Sequence, residues 1–239
     1  MPYNETTLKQ AVKMIETTHI KANLEQIKNR IASINPDARL VAVSKTFSTE
    51  LIRAALDAGQ FEFGESKVQE ALPKIDCFEG DERIRWHFIG HLQTNKSSKI
   101  TGKFSLIQSA DSFRIAEKIS GYSLEKNIVQ EILVELNPSD EEAKTGIRLD
   151  AAEGIIESIA RLEGVKIAGL MAMAPYSEDP ENARPYFRKA AALFAKLKNG
   201  CSMKTLSMGM SNDFEVALQE GATMVRVGTA IFGGRNYGG

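Results

Sequence analysis

A lysine that closely follows a short apolar segment is the residue best placed for covalent chemistry in this sequence. The segment Leu40–Val43 is typical of a buried strand, and Lys45 comes two residues after it. Active sites of α/β and barrel folds lie at such strand ends. A lysine that is desolvated there becomes a neutral amine that attacks carbonyl groups. Lys45 is therefore a candidate Schiff-base lysine, although its position alone favours a solvated lysine that caps the strand.

Two turns in the last forty or so residues have the residue types that bind phosphate. Glycine lets the backbone approach a ligand, hydroxyl groups add hydrogen bonds, and helix N-termini favour anions. Barrels often bind phosphate in the loops after their last two strands. The alternative is that both are ordinary turns, because Gly and Ser are common in turns. The candidate phosphate ligands are Ser207, Met208 and Gly209 in the first turn and Gly228 and Thr229 in the second.

Arg226 lies two positions before Gly228 on a predicted strand, so the two side-chain positions face the same side. With an amine at Lys45 and a phosphate site, this arrangement suits a ligand that has an aldehyde at one end and a phosphate at the other. Pyridoxal 5′-phosphate (PLP) is such a ligand, and Lys45 would hold it as a Schiff base. Arg226 would then approach the pyridine nitrogen, keep it unprotonated and weaken the ring as an electron sink. The alternative for Arg226 is a structural salt bridge in the barrel mouth.

Strand-like and helix-like segments alternate along the chain after a leading helical segment, which Pro36 closes. About eight βα units result, and this number is typical of a (β/α)₈ TIM barrel. A doubly wound open sheet is the alternative, but it usually has fewer strands, and no G-x-G-x-x-G follows the first strand. We expect residues 1–239 to form a single domain, in which Pro73 stops a helix that begins at Val68. The predicted strands are Leu40–Ser44, Phe61–Phe63, Ile84–Ile89, Phe104–Gln108, Ile128–Leu136, Val165–Met173, Lys204–Ser207 and Thr223–Val227.

The composition argues against several classes of function. Lys and Arg number 30 and Asp and Glu number 31, so no net field selects nucleic acid or an anionic membrane. No apolar run reaches the ~20 residues of a membrane span, and the first residues lack the regions of a signal peptide, so we expect a cytoplasmic protein. Cys77 and Cys201 predict neither a disulfide framework nor a zinc site. His87 and His91 have the spacing of helical metal ligands, but the residues around His87 are typical of a strand end, which disfavours a metal site.

Several stretches of the sequence resemble the pyridoxal phosphate homeostasis protein family, whose members are single-domain relatives of the alanine racemase barrel. These stretches span nearly the whole chain after the first helix and keep the order and spacing of the family. They are VAVSKTF at Val41–Phe47, FGE at Phe63–Glu65, VQE at Val68–Glu70, WHFIGHLQTNK at Trp86–Lys96, GLMAMAP at Gly169–Pro175, LSMGMSNDFEVAL at Leu206–Leu218 and VRVGTAIFG at Val225–Gly233.

The resemblance implies a type III PLP fold in which Lys45 is the Schiff-base lysine and Arg226 faces the pyridine nitrogen. It also implies that the two turns named above hold the phosphate, and that the protein helps to balance PLP, amino-acid and keto-acid pools without robust catalysis. One departure is that the family commonly reads FGENYVQE, whereas Ser66 and Lys67 replace the Asn and Tyr here. This change puts in doubt any polar contact of the Asn and adds a second amine on a loop expected near the cofactor.

Three functions stay open from the sequence. The leading one is a PLP carrier or regulatory protein with little turnover, which serves PLP-dependent apoenzymes and is a monomer. The second is a weak PLP-dependent racemase, but a racemase needs two opposed acid/base groups, and we expect no second domain to supply one. Within this chain, His87 and Tyr176 are the candidates for such an acid/base group. The alternative is that His87 is a hydrogen-bonded structural histidine and that Tyr176 is part of a turn. The third is a Schiff-base aldolase or phosphosugar-binding barrel that does not use PLP.

Overall fold

The computed structural model describes residues 5–139, 141, 145–200 and 202–234, with the backbone alone for residues 5–17. These residues form nine strands and nine α-helices that mostly alternate. The strands are β1 (Arg39–Val43), β2 (Glu62–Glu65), β3 (Arg85–Phe88), β4 (Leu106–Ala110), β5 (Gln130–Asn137), β6 (Ile147–Arg148), β7 (Val165–Ala172), β8 (Thr205–Ser207) and β9 (Met224–Val227). The helices are α1 (Glu5–Ile34), α2 (Thr49–Asp57), α3 (Val68–Cys77), α4 (Ser97–Ile100), α5 (Phe113–Glu125), α6 (Leu149–Ile159), α7 (Arg184–Leu197), α8 (Phe214–Gln219) and α9 (Thr229–Phe232).

Eight of these strands close into a parallel barrel. The hydrogen-bonded order is β4-β3-β2-β1-β9-β8-β7-β5, and pairing of β4 with β5 completes the ring. The two-residue strand β6 pairs only with the end of β5 and was not predicted. The closed ring confirms the predicted (β/α)₈ barrel over the open sheet. Because the strands are parallel, their carboxyl ends all lie on one face, where the following loops meet.

Side chains alternate between the inside of the barrel and the layer beneath the helices, as the period of a strand requires. In β1, Leu40 and Ala42 pack outward in the main core, whereas Val41 packs inside the barrel. The apolar residues inside are Val41, Leu106, Leu133, Met171 and Met224. The interior also holds buried polar side chains, among them His87, Gln108, Ser207 and Arg226. This polar group is unusual for a barrel core and requires internal hydrogen bonds.

Helix α1 packs outside the barrel against α2 and against the helices that follow the last two strands. Asn23 donates a hydrogen bond from Nδ2 to the carbonyl oxygen of Ile231 at 2.9 Å. Arg30 pairs with Glu215 at 2.9 Å and lies over the ring of Phe214. The three-to-four-residue spacing of Leu24, Ile27 and Ile31 in the sequence predicts an apolar helical face, and all three side chains are buried. The side chains of Leu8, Val12 and Ile15, which belong to the same prediction, lie outside the described residues.

Pro73 does not stop α3, so the expectation that the helix ends before it was wrong. The helix begins at Val68 as predicted but continues through Pro73 to Cys77. A proline at this position removes one hydrogen bond to the preceding turn. The next residue, Lys74, is buried, and its ion pair with Glu65 at the end of β2 holds the second half of the helix against the barrel.

Within the described residues, no helix is long and apolar enough to cross a membrane. The same part of the chain contains no cluster of His, Cys, Asp and Glu arranged to bind a metal ion. His91, which has metal-ligand spacing to His87 in the sequence, lies 3.1 Å from Asp111 through its Nδ1 atom. Cys201 lies outside the described residues.

The close contact between β7 and β8 leads to a stability prediction. A Cβ at Gly169 would lie 1.7 Å from the carbonyl oxygen of Thr205, so we expect Gly169→Ala to destabilise the protein by about 3 kcal/mol. Gly154 is the matched control, because it is exposed in α6 and a Cβ there meets nothing within 4 Å. We expect Gly154→Ala to stabilise by about 0.5–1 kcal/mol through helix propensity. Urea denaturation measures both changes, and equal effects of the two substitutions would contradict the prediction.

Candidate functional site

A cavity of ≈ 720 Å³ opens at the carboxyl ends of the strands. Its walls come from the ends of β1, β3, β7 and β9 and from the loops after β7 and β8. Val43 and Lys45 both line it, which follows from the alternation of side chains along β1 and its extension. Lys45 is half-buried in this wall. The candidate lysine therefore lies at the expected face of the barrel, in a cavity wall that also includes the apolar residues Val43 and Ile89.

Four of the seven predicted site residues line this cavity: Lys45, Arg226, Gly228 and Thr229. They come from β1 and β9, which pair directly, with Val41 opposite Arg226 in the register. Closure of the barrel thus brings the first and last predicted parts of the site together, although more than 150 residues separate them in the sequence. 

The other three predicted residues do not line the cavity. Ser207 is fully buried inside the barrel, and the Met208 side chain is fully buried in the outer core. Gly209 has a φ of +88°, and a Cβ there would lie 2.8 Å from the Cα of Phe214. Ser207 is the last residue of β8 and its side chain lies inside the barrel, whereas the next side chain, Met208, points outward. Neither side chain therefore faces the cavity as expected. Their part in binding phosphate stays a prediction.

The residues of the first turn that do line the cavity are the next ones along the chain, Met210, Ser211, Asn212 and Asp213. Sequence reasoning missed them as ligands, although the hydroxyl of Ser211 in the same turn was a usable signal. Ser211 follows a turn glycine and is of a residue type that often caps a helix, but it does not cap α8. Its Oγ instead accepts a hydrogen bond from the N–H of Gly228 at 3.3 Å, which joins the two turns. Asp213 Oδ1 accepts from the N–H of Met210 at 2.6 Å and keeps the first turn closed.

Arg226 extends into the cavity from β9 and is only 3% exposed. Its guanidinium donates to Ser207 Oγ at 2.6 Å and to the carbonyl oxygen of Ala172 at 3.1 Å. Burial lowers the pKa of Arg226 to about 10, although Glu135 and Asp213 favour its charged form. The side chain is therefore a cation at neutral pH, held by two neutral acceptors rather than by the salt bridge considered as its alternative.

A chain of hydrogen bonds runs from Arg226 into the barrel. Because arginine only donates, the Ser207 hydroxyl must accept from it and donate its own proton to Gln108 Oε1 at 2.7 Å. The Gln108 amide then donates to His87 Nδ1 at 2.9 Å, which places the ring proton of His87 on Nε2. That atom lies 3.5 Å from Glu62 Oε2. The hydrogen bonds of this chain therefore run in one direction, from Arg226 through Ser207 and Gln108 to His87.

His87 is a structural residue of this chain of hydrogen bonds and does not line the cavity. Burial, together with the positive charges of Arg39 and Arg85, lowers the pKa of His87 to about 3. The imidazole is therefore neutral at physiological pH and is not placed to act as a base on a ligand. Tyr176, the other intrinsic candidate, lines the mouth of the cavity and is 85% exposed.

Comparison with known proteins places the chain in a family. Residues 15–236 match the alanine racemase N-terminal domain. A pyridoxal phosphate homeostasis protein of Aquifex aeolicus is 44% identical over 202 residues, which cover 84% of this chain and 88% of that protein. The protein of the same name from Escherichia coli strain K12 is 39% identical over 229 residues, which cover 91% and 97% of the two chains. The chain belongs to the pyridoxal phosphate homeostasis protein family.

Solved structures agree with this assignment to the pyridoxal phosphate homeostasis protein family. The structure of PipY of Synechococcus elongatus PCC7942 with PLP bound has a TM-score of 0.81 and 31% identity, and the match covers 90% of this chain and all of that one. Alanine racemase of Clostridium difficile 630 has a TM-score of 0.74 at 14% identity, over 92% of this chain and 58% of that one. The second likeness shows the barrel fold alone. The resemblance seen in the sequence motifs is thus confirmed.

The departure from the family motif lies on the loop between β2 and α3. Lys67 is exposed and is not among the residues that line the cavity. A Cβ at Gly90 would lie 2.1 Å from the carbonyl oxygen of Ser66, so this loop packs tightly against the end of β3. In this arrangement Lys67 does not share the cavity wall with Lys45, contrary to the expectation of a second amine near the cofactor.

The buried imidazole predicts a specific dependence of stability on pH. An unfolded histidine titrates near pH ~6.5, whereas His87 in the folded protein titrates near 3. Between these values the unfolded state binds one more proton, so this contribution is fully present above pH ~6.5 and is lost as the pH falls. We expect the stability advantage of wild type over His87→Gln to shrink by about 1.4 kcal/mol per pH unit below pH ~6.

Urea denaturation at pH 7.5, 5.5 and 4.5 measures this advantage. His19→Gln is the control, because it makes the same replacement at an exposed position. If the wild-type and His87→Gln stabilities differ by the same amount at all three pH values, His87 is not a neutral buried imidazole.

Proposed function

We propose that the protein binds PLP as a Schiff base through Lys45 and takes part in PLP homeostasis with little or no turnover. The observation that carries this proposal is that one cavity holds the Lys45 amine, the Arg226 guanidinium and the two hydrogen-bonded turns after β8 and β9. The relatives that share the family name and the PLP-bound PipY structure support it.

The donor set of the cavity fits the ligand from end to end. A primary amine is the group that bonds to an aldehyde carbon, and Lys45 supplies it. Amide and hydroxyl groups of Ser211, Gly228 and Thr229 suit a phosphate dianion at the far end. We keep Ser207, Met208 and Gly209 in the proposed set because they immediately precede the residues of this turn that line the cavity. Arg226 lies on β9, between β1 and β8 in the ring, and its charged guanidinium suits a ring nitrogen that carries no proton.

Low turnover follows from the same residues. When bound, PLP supplies an electron sink for reactions at the α-carbon of amino acids. An arginine at the ring nitrogen disfavours protonation of that nitrogen and so weakens the sink. Hydrogen bonds to Ser207 and to the carbonyl oxygen of Ala172 hold the guanidinium of Arg226 in place, and the negative charges of Glu135 and Asp213 favour its charged form. The competing proposal is a weak racemase, for which Tyr176 at the mouth is the exposed acid/base candidate.

The proposal extends to the setting of the protein. We infer that it works as a single-domain monomer in the cytoplasm and exchanges PLP with PLP-dependent apoenzymes. The half-exposed Met173 and Met210 and the exposed Tyr176 at the cavity mouth support direct access to the bound ligand.

The first test is covalent loading with PLP. We expect wild type mixed with PLP to gain visible absorbance, and borohydride to fix the cofactor on the peptide that contains Lys45. Lys45→Ala should lose at least nine-tenths of this labelling, because its side chain has no amine, whereas Lys67→Ala should keep it. Absorbance spectra and peptide mapping by mass spectrometry measure both. Protein that stays colourless with added PLP would favour a PLP-independent Schiff-base aldolase or phosphosugar-binding barrel.

The second test separates a carrier from an enzyme. We expect PLP-loaded wild type in deuterated water to exchange the α-proton of L-alanine at no more than twice the rate of free PLP at equal concentration. Proton NMR follows the exchange. Exchange that is at least a hundredfold faster, and that Tyr176→Phe abolishes, would establish the racemase-like alternative instead.

A further inference from the structure

A buried ion cluster lies directly behind the turn that carries Lys45. Its centre is Lys74 of α3, which is only 8% exposed. The Lys74 ammonium donates to Glu70 Oε1 at 2.7 Å, to Glu65 Oε1 at 2.9 Å and to the carbonyl oxygen of Ser44 at 2.8 Å. One cation thus joins α3, the end of β2 and the end of β1.

The two carboxylates of this cluster hold the residues on either side of Lys45. The Ser44 hydroxyl donates to Glu65 Oε1 at 2.7 Å. The N–H of Thr46 donates to Glu70 Oε1. The same Glu70 oxygen accepts from Lys74, and these hydrogen bonds outweigh burial and lower the pKa of the Glu70 carboxyl. Lys45 therefore lies between Ser44 and Thr46, whose hydrogen bonds to this cluster anchor the backbone on both sides of it.

Those anchors stabilise a turn that the local sequence does not favour. The N–H of Phe47 donates to the carbonyl oxygen of Ser44 at 3.1 Å, so Lys45 and Thr46 are the central residues of a β-turn. Thr46 has a φ of +69°, a conformation that Gly or Asn favours at this position and that a β-branched residue rarely adopts. Strained residues of this kind persist only where their surroundings impose them, and they occur often at functional sites.

A contribution to the stability of the fold does not by itself explain this buried ion cluster. Replacing a buried ion pair by well-packed apolar residues is often neutral or stabilising, whereas such pairs in some proteins specify one geometry. Here the geometry that is specified is the turn around the candidate ligand-bonding lysine. Pro73, which breaks the hydrogen-bonding pattern of α3 just before Lys74, makes the helix more dependent on this anchor.

We propose that Lys74 is a positioning residue that, through Glu65 and Glu70, fixes the turn at Ser44–Phe47 and so directs the Lys45 amine into the cavity. The proposal rests on the proposed function, because it concerns how readily Lys45 bonds to the aldehyde of PLP. Lys74 itself does not line the cavity.

The test measures the rate at which PLP bonds to Lys45, by stopped-flow absorbance, with the modified residue mapped after borohydride reduction. We expect Lys74→Met to slow adduct formation at Lys45 at least tenfold and to spread labelling to other lysines. Lys166→Met is the matched control, since Lys166 also pairs with a glutamate, Glu131, at 2.7 Å but is largely exposed and does not line the cavity. It should keep the wild-type rate.

A second pair of variants covers the case in which Lys74→Met does not fold. Glu70→Gln keeps an oxygen that accepts from Thr46 and should stay within threefold of the wild-type rate, whereas Glu70→Ala should be at least tenfold slower. Circular dichroism and the thermal midpoint establish that each variant is folded. If Glu70 had a merely structural role, Glu70→Ala would lower the thermal midpoint but would form the adduct at the wild-type rate.

The outcomes separate the two proposals. If wild type forms no adduct at Lys45, the proposed function fails and this inference fails with it. If wild type reacts at Lys45 and folded Lys74→Met, or folded Glu70→Ala, reacts within twofold of its rate, the positioning role alone is overturned.

Discussion

Closure of the eight parallel strands into a ring is the constraint on which the rest of the structure depends. It makes the first and last strands, β1 and β9, neighbours and places every carboxyl end on the same face. The loops after β3, β7 and β8 then complete the walls around Lys45 and Arg226. The cavity is therefore a property of the ring rather than of any one βα unit.

Two different polar systems support the two ends of the candidate site. Beneath Arg226, a series of hydrogen bonds runs from the guanidinium through the uncharged side chains of Ser207 and Gln108 to His87. Behind Lys45, a cation and two carboxylates hold the backbone. The first system leaves the charge on the residue that faces the ligand. The second keeps its charges outside the barrel wall and acts on Lys45 only through its neighbours.

The parts of the site that the sequence predicted are those set by local periodicity and chain order. Lys45 follows the apolar strand β1, and Arg226 lies on β9, so the period of two along a strand fixes the face of each; Gly228 and Thr229 follow β9 directly. The depth of Ser207 in the barrel depends on how far the strands tilt, which no local pattern encodes. Its partner Gln108 is 99 residues away in the sequence, so their hydrogen bond was not predictable. The continuation of α3 past Pro73 likewise depends on a contact between Lys74 and another strand.

The position of α1 has a consequence for the order of events when the chain folds. Asn23 and its partner Ile231 are separated by 208 residues, and Arg30 and Glu215 by 185. During synthesis α1 leaves the ribosome well before α8 and α9, two of the helices against which it packs. Its buried apolar face therefore stays exposed to water, or to chaperones, until residues near 230 have been made. Contacts of such long range also slow folding, because a large loop must close before any of them forms.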